Sequence, residues 1–143
     1  MTILDAFAII ALLKGEPAAI AVQKLIQDGG SALTTLGVAE VIDHLVRVVR
    51  TTDEDAVLDV AQLSLAAPLE LDDASATQAA LLRARHYNRK NRAVSLADCV
   101  VAHAARTTAS AVATSDPHLL DLCRDEGIAV TPLPDSRGRM WAP

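Results

Sequence analysis

Short apolar runs recur between stretches long enough to be helices, and this alternation limits the fold more than any other feature. The runs are Met1–Leu4, Ser31–Thr34, Leu69–Leu71, Ala111–Thr114 and Ile128–Thr131. Runs this short and apolar suit strands covered on both faces. Helix signals fill the gaps. Gly15 stops a first helix at Leu13, and Glu16-Pro17 opens a second that reaches about Gln27. Thr35 is positioned to cap a helix to about Val49, with Val38, Val41, Ile42, Leu45 and Val49 on a 3.6-residue period. Asp53, Glu54 and Asp55 favour the start of a helix to about Leu65. Asp72-Asp73 caps one to about Arg89, Ser95 one to about Thr107, and Pro117 opens one to about Glu126. The expectation is a single α/β domain over residues 1–143, a sandwich with a mainly parallel sheet of about four or five short strands. The tail from about residue 132 to 143 reads as irregular.

Composition narrows the function classes. Hydrophobic residues make up 51% and aromatics only 2%, so the core must be built from Ala, Leu, Val and Ile. The apolar run Ala6–Leu13 falls well short of the ~18–20 residues of a membrane span. No basic residue precedes that run, and Asp5 stands directly before it, which is not a signal-peptide pattern. The expected setting is the cytoplasm, without a membrane partner. Cys99 and Cys123 have no metal-type spacing and read as core thiols. His44, His86, His103 and His118 show no ligand spacing either, which argues against zinc.

A net charge of −5 argues against a basic nucleic-acid coat protein. Yet five of the thirteen Lys and Arg lie within ten positions, at Arg83, Arg85, Arg89, Lys90 and Arg92. Such a strip suits phosphate contact, with Arg83, Arg89 and Arg92 the substrate-binding candidates. The competing reading is a solvated helix end whose cations complement the dipole. Tyr87 and Trp141 are available for base stacking or for packing.

Four acids stand in apolar surroundings. Asp5 and Asp116 follow the first and fourth strand candidates, and ligands of parallel sheets gather beyond the carboxyl ends of strands. Glu40 and Asp98 interrupt apolar helical stretches. A buried, unpaired carboxylate is costly, and nearby basic partners are few. Each acid has an ordinary reading. Asp5 and Asp116 fit helix N-caps, Asp98 assists the Ser95 cap, and Glu40 has His44 one turn on. Four together point to a divalent cation, and an all-oxygen set favours Mg²⁺ or Mn²⁺.

The matching segments are Leu4-Asp5-Ala6, Val38-Ala39-Glu40-Val41, Ser95-Leu96-Ala97-Asp98-Cys99 and Ala113-Thr114-Ser115-Asp116, and Ile128–Leu133 resembles a closing strand. In this order they resemble a PIN domain of the VapC toxin type over nearly the whole chain. The resemblance implies a three-layer sandwich and Mg²⁺- or Mn²⁺-dependent hydrolysis of RNA phosphodiesters. It also implies a homodimer and a cognate VapB-like antitoxin. Asp5, Glu40, Asp98 and Asp116 become the metal-site acids, with Thr114 or Ser115 supporting them through a hydroxyl. Two positions depart from the pattern: Phe7 replaces a small polar residue, and Leu36-Gly37 stands where an Asn is common.

Three readings follow: a ribonuclease acting as a toxin, a PIN-like RNA- or protein-binding module without turnover, and a phosphatase with a strand-end Asp. The phosphatase is disfavoured, because Phe7 occupies the place of its second Asp.

Overall fold

Backbone pairing follows the apolar runs. The computed structural model describes residues 1–143. In chain order its elements are β1 (Thr2–Leu4), α1 (Ala6–Lys14), α2 (Ala19–Gln27), β2 (Ser31–Ala32), α3 (Thr35–Arg47) and α4 (Asp53–Ala61). There follow α5 (Asp73–His86), α6 (Leu96–Thr107), β3 (Ala111–Thr114), α7 (Pro117–Asp125) and β4 (Val130–Pro132). The four strands form one parallel sheet in the order β2-β1-β3-β4.

Period-two alternation splits the core in two. Ile3 pairs with Val112 in register, and both face a layer made by α5, α6 and α7. Leu4 pairs with Ala113, and both face α1 to α4. Each layer contributes a fully covered cluster of Leu, Ile, Val and Ala. Cys99 and Cys123 lie in the first of these, and burial pushes their thiols up to about 11 and about 12. No single helix is long and apolar enough to cross a membrane.

Strand order places the functional end. From β1 the chain crosses to β2 on one side, and from β3 it crosses to β4 on the other. The carboxyl ends of β1 and β3 therefore flank the point where connections diverge, the usual ligand crevice of an open parallel sheet.

Several sequence expectations shift. Leu69–Leu71 is no strand; Leu69 makes a single parallel bridge to Thr34, and Leu71 is exposed. Thr34, not Thr35, caps α3, because Thr34 keeps extended backbone and its hydroxyl accepts from Gly37 N at 2.9 Å. The last strand begins at Val130 rather than Ile128. Gly127 turns with φ +68°, and Ile128 N bonds back to Cys123 O at 2.8 Å, so Ile128 closes α7 before pairing starts. The helix expected to run to Leu65 ends at Ala61, and the one expected to run to Arg89 ends at His86.

Candidate active site

Asp5, Glu40, Asp98 and Asp116 line one cleft of about 280 Å³, together with Ala6, Phe7, Ala93, Ser95, Ala97 and Val101. No lysine, arginine or histidine lines it. The cleft opens at the carboxyl ends of β1 and β3.

Local structure holds each aspartate. Asp5 leaves β1 with its N–H on Ala113 O at 3.2 Å and caps α1, accepting from Ala8 N at 2.8 Å. Asp116 caps α7, accepting from His118 N at 2.8 Å. Asp98 completes a capping box with Ser95: its Oδ2 accepts from Ser95 N at 2.8 Å, and its own N–H donates to Ser95 Oγ at 3.0 Å. The ordinary reading and the clustering are thus both true of these three acids. The Thr114 hydroxyl donates to Asp5 Oδ2 and accepts from Asp116 N at 3.0 Å, so one side chain joins both strand ends. Ser115 instead lines a neighbouring cavity.

Burial sets the electrostatics. Asp5 is 6% exposed, and loss of hydration pushes its carboxyl up to about 7, despite hydrogen bonds from Thr114 and Ala8 that pull the other way. The charges of Asp98 and Asp116 push it further in the same direction. Asp98 is raised chiefly by burial, with Asp116 adding to it. Glu40 is raised by burial and by Asp98. Its one-turn neighbour His44 packs against Phe7 instead, with ring centroids 5.9 Å apart and planes at 76°, and His44 Nε2 has no hydrogen-bond partner.

Such a site resists full ionisation unless a cation joins it. No three acidic, histidine or cysteine side chains are gathered round one point at ligating distances. Capping bonds hold the aspartates to their own helices, and like charges do not approach unaided. The donor set still fits a hard cation that keeps much of its water, as Mg²⁺ does with one or two carboxylates.

The basic strip is largely engaged. Arg83 Nε donates to Val94 O at 2.9 Å, and its guanidinium lies 4.2 Å above the Tyr87 ring. Arg92 bonds Asp125 at 2.9 Å and approaches His86 Nδ1 at 3.5 Å. Arg85, His86 and Arg106 surround Glu126. Arg89 and Lys90 stand exposed on the turn after α5. Asp43 faces solvent, paired with Arg47 at 2.9 Å, and Trp141 Nε1 donates to Asp121 at 2.9 Å.

The sequence marks Ser95 as a cap and His44 as the one-turn neighbour of Glu40; the structure lines the cleft with Ser95 and sets His44 in the cavity beside it. The Ser95-x-x-Asp98 spacing signals that Ser95 N holds the acid. The one-turn spacing from Glu40 puts His44 on the same helix face, whereas its contact with Phe7 has no local signal.

One family model matches the chain, and solved structures share its fold. The sequence matches the PIN domain family over residues 2–125. No curated protein matches it in sequence. The fold is similar to that in "Crystal Structure of FitAcB from Neisseria gonorrhoeae", with TM-score 0.66 and 21% identity over 91% of this chain and 96% of that one. It is similar to a chain of VapBC2 from Rickettsia felis, bound to a promoter DNA fragment, with TM-score 0.66 and 14% identity over 91% and 96%. A toxin–antitoxin complex from Klebsiella pneumoniae gives TM-score 0.60 and 12% identity over 81% and 87%. With the parallel sheet and the acids beyond its strand ends already in place, the chain belongs to the PIN domain family.

Proposed function

We propose that the cleft binds Mg²⁺ or Mn²⁺ through Asp5, Glu40, Asp98 and Asp116, and that the chain is an endoribonuclease acting as the toxin of a toxin–antitoxin pair. The observation that carries this is a cleft lined by four carboxylates and no base, at the strand ends of a PIN fold. A bound divalent cation supplies positive charge that offsets a phosphodiester's developing negative charge and favours ionisation of water. The protein's own groups then divide the work. Asp5 and Asp98 are the direct ligands; Asp98 keeps Oδ1 free of its cap, and Asp116 keeps Oδ2. Thr114 fixes the Asp5 carboxylate. Glu40, on the wall of the same cleft, is the acceptor for a proton of the attacking water. The exposed Arg89 is the outer phosphate contact, on a turn stiffened by Arg83 and Arg92.

The toxin role rests on analogy with toxin–antitoxin complexes of this fold. The expected partner is a VapB-like antitoxin, the expected assembly a homodimer, and the free thiols suit the cytoplasm. A second reading, a PIN-like binding module without turnover, is favoured by Phe7 at the cleft wall. Incubation with single-stranded RNA and Mn²⁺ separates the two. The nuclease reading expects internal cleavage that is lost in Asp5→Asn and Asp98→Asn. Cleavage undiminished in both would remove the mechanism, and binding without cleavage at any metal concentration would select the second reading.

A further inference from the structure

Beside the acidic cleft lies a second cavity of about 330 Å³, and Phe7 lines both. The two are built in step from the same elements. Helix α1 and its cap give Asp5 to the cleft, Phe7 to both spaces, and Ile10 and Lys14 to the cavity. Helix α3 gives Glu40 to the cleft and, one turn on, His44 to the cavity. The β3–α7 junction gives Asp116 to one and Ser115 to the other.

Phe7 is the only phenylalanine in the chain, yet it is 60% exposed on a helix whose other early positions, Ala6, Ala8, Ile9 and Ile10, are buried. It is one wall of a polar recess. His44, packed against it, has an Nε2 shielded from water and without a hydrogen-bond partner. An unpaired buried ring nitrogen is a cost that a ligand's hydrogen bond would relieve. The cavity is poorly suited to a second phosphate. Lys14 is paired with Glu16 at 3.2 Å, and Asp135, also in the lining, brings negative charge. A flat, uncharged group with polar edges fits this lining better.

Resting on the nuclease reading above, we infer that this cavity receives the base next to the phosphodiester held in the acidic cleft, with Phe7 as stacking surface and the His44 ring turning to bring its covered Nε2 onto the base edge. A polynucleotide carries a base on the sugar beside every phosphate, so a cavity sharing a wall with a phosphate cleft lies within reach of a neighbouring base. Aromatic faces stack on any base, and a ring nitrogen discriminates among base edges.

The single phenylalanine makes a direct test available. The full chain, with Ca²⁺ in place of Mg²⁺ to hold the phosphodiester without rapid cleavage, is labelled with 4-fluorophenylalanine and titrated with a single-stranded RNA hexamer and with an abasic chain of the same length. The ¹⁹F resonance is expected to shift with the hexamer and not with the abasic chain. Phe7→Ala should weaken hexamer binding about tenfold more than it weakens abasic binding. His44→Gln should change the base preference at one position next to the cleaved bond, read in the otherwise unaltered enzyme. Equal shifts with both chains, or none, would overturn the inference. A resonance that moves with protein concentration alone would also overturn it, assigning Phe7 to self-association. RNA cleavage without a ¹⁹F shift sinks the base site alone. A base-dependent shift without cleavage by the unsubstituted protein sinks turnover and leaves the base site standing.

Discussion

Thr114 carries more of the site than its size suggests, since its hydroxyl serves Asp5 as donor and Asp116 N as acceptor. Thr114→Val keeps the shape and removes both bonds. It should lower unfolding free energy by about 1–3 kcal/mol in a urea titration, because two buried polar groups lose a partner. Asp5 gives a pH prediction of definite sign. Its carboxyl is raised from 3.8 to about 7, so the folded chain holds the proton more tightly than the unfolded chain. In chelator, that contribution is complete below about pH 4 and is lost as pH rises through 7. Asp5→Asn should therefore melt higher than the unsubstituted protein at pH 8, with the gap closing toward pH 4; an unchanged gap would contradict the burial argument. The convergence of these acids is legible in the sequence because each interrupts an apolar stretch or ends one. The contact of His44 with Phe7 is not legible, because it joins helices far apart in the chain.

At the scale of elements, Glu126 gathers the ends of three helices. It accepts from Arg85 and His86 at the end of α5 and from Arg106 at the end of α6, directly after α7. The His86 bond first, then Arg106 and Arg85, pull its carboxyl from 4.5 down to about 2. A depressed carboxylate stabilises the fold above the unfolded value and loses that contribution as pH falls from about 4.5 to 2. Glu126→Gln should cost about 1–3 kcal/mol at pH 7 and make little difference at pH 2, measured by denaturant unfolding at both. Element types followed from periodicity and caps, whereas boundaries depended on tertiary pairing. Leu69 looks like a strand locally, but Leu33 and Thr35 bond it on one side only, and the chain turns away at once. Ile128 looks like the first residue of β4, but its N–H is taken by the end of α7.

For the whole molecule, the parallel sheet divides two apolar layers and brings its divergence point to the surface at the acids. The layers were readable from alternation, while the choice of neighbours in β2-β1-β3-β4 was not, since all the runs are short and alike. If a divalent cation belongs in the cleft, binding must stabilise the folded chain by mass action. Mg²⁺ at a hundred times its Kd adds about 2.7 kcal/mol. The melting temperature should rise with Mg²⁺, and rise more at pH 8 than at pH 5, where Asp5 holds its proton. A rise independent of pH would place the ion elsewhere.

The most direct measurement is Mn²⁺ binding itself, followed by the loss of the free-ion electron paramagnetic resonance signal. The acidic cleft predicts saturable uptake by the unsubstituted protein at pH 8 and its loss in Asp5→Asn and in Asp98→Asn, each with its fold intact by circular dichroism. Uptake of equal strength in both variants would contradict the account, because the ion would then owe nothing to the carboxylates beyond β1 and β3.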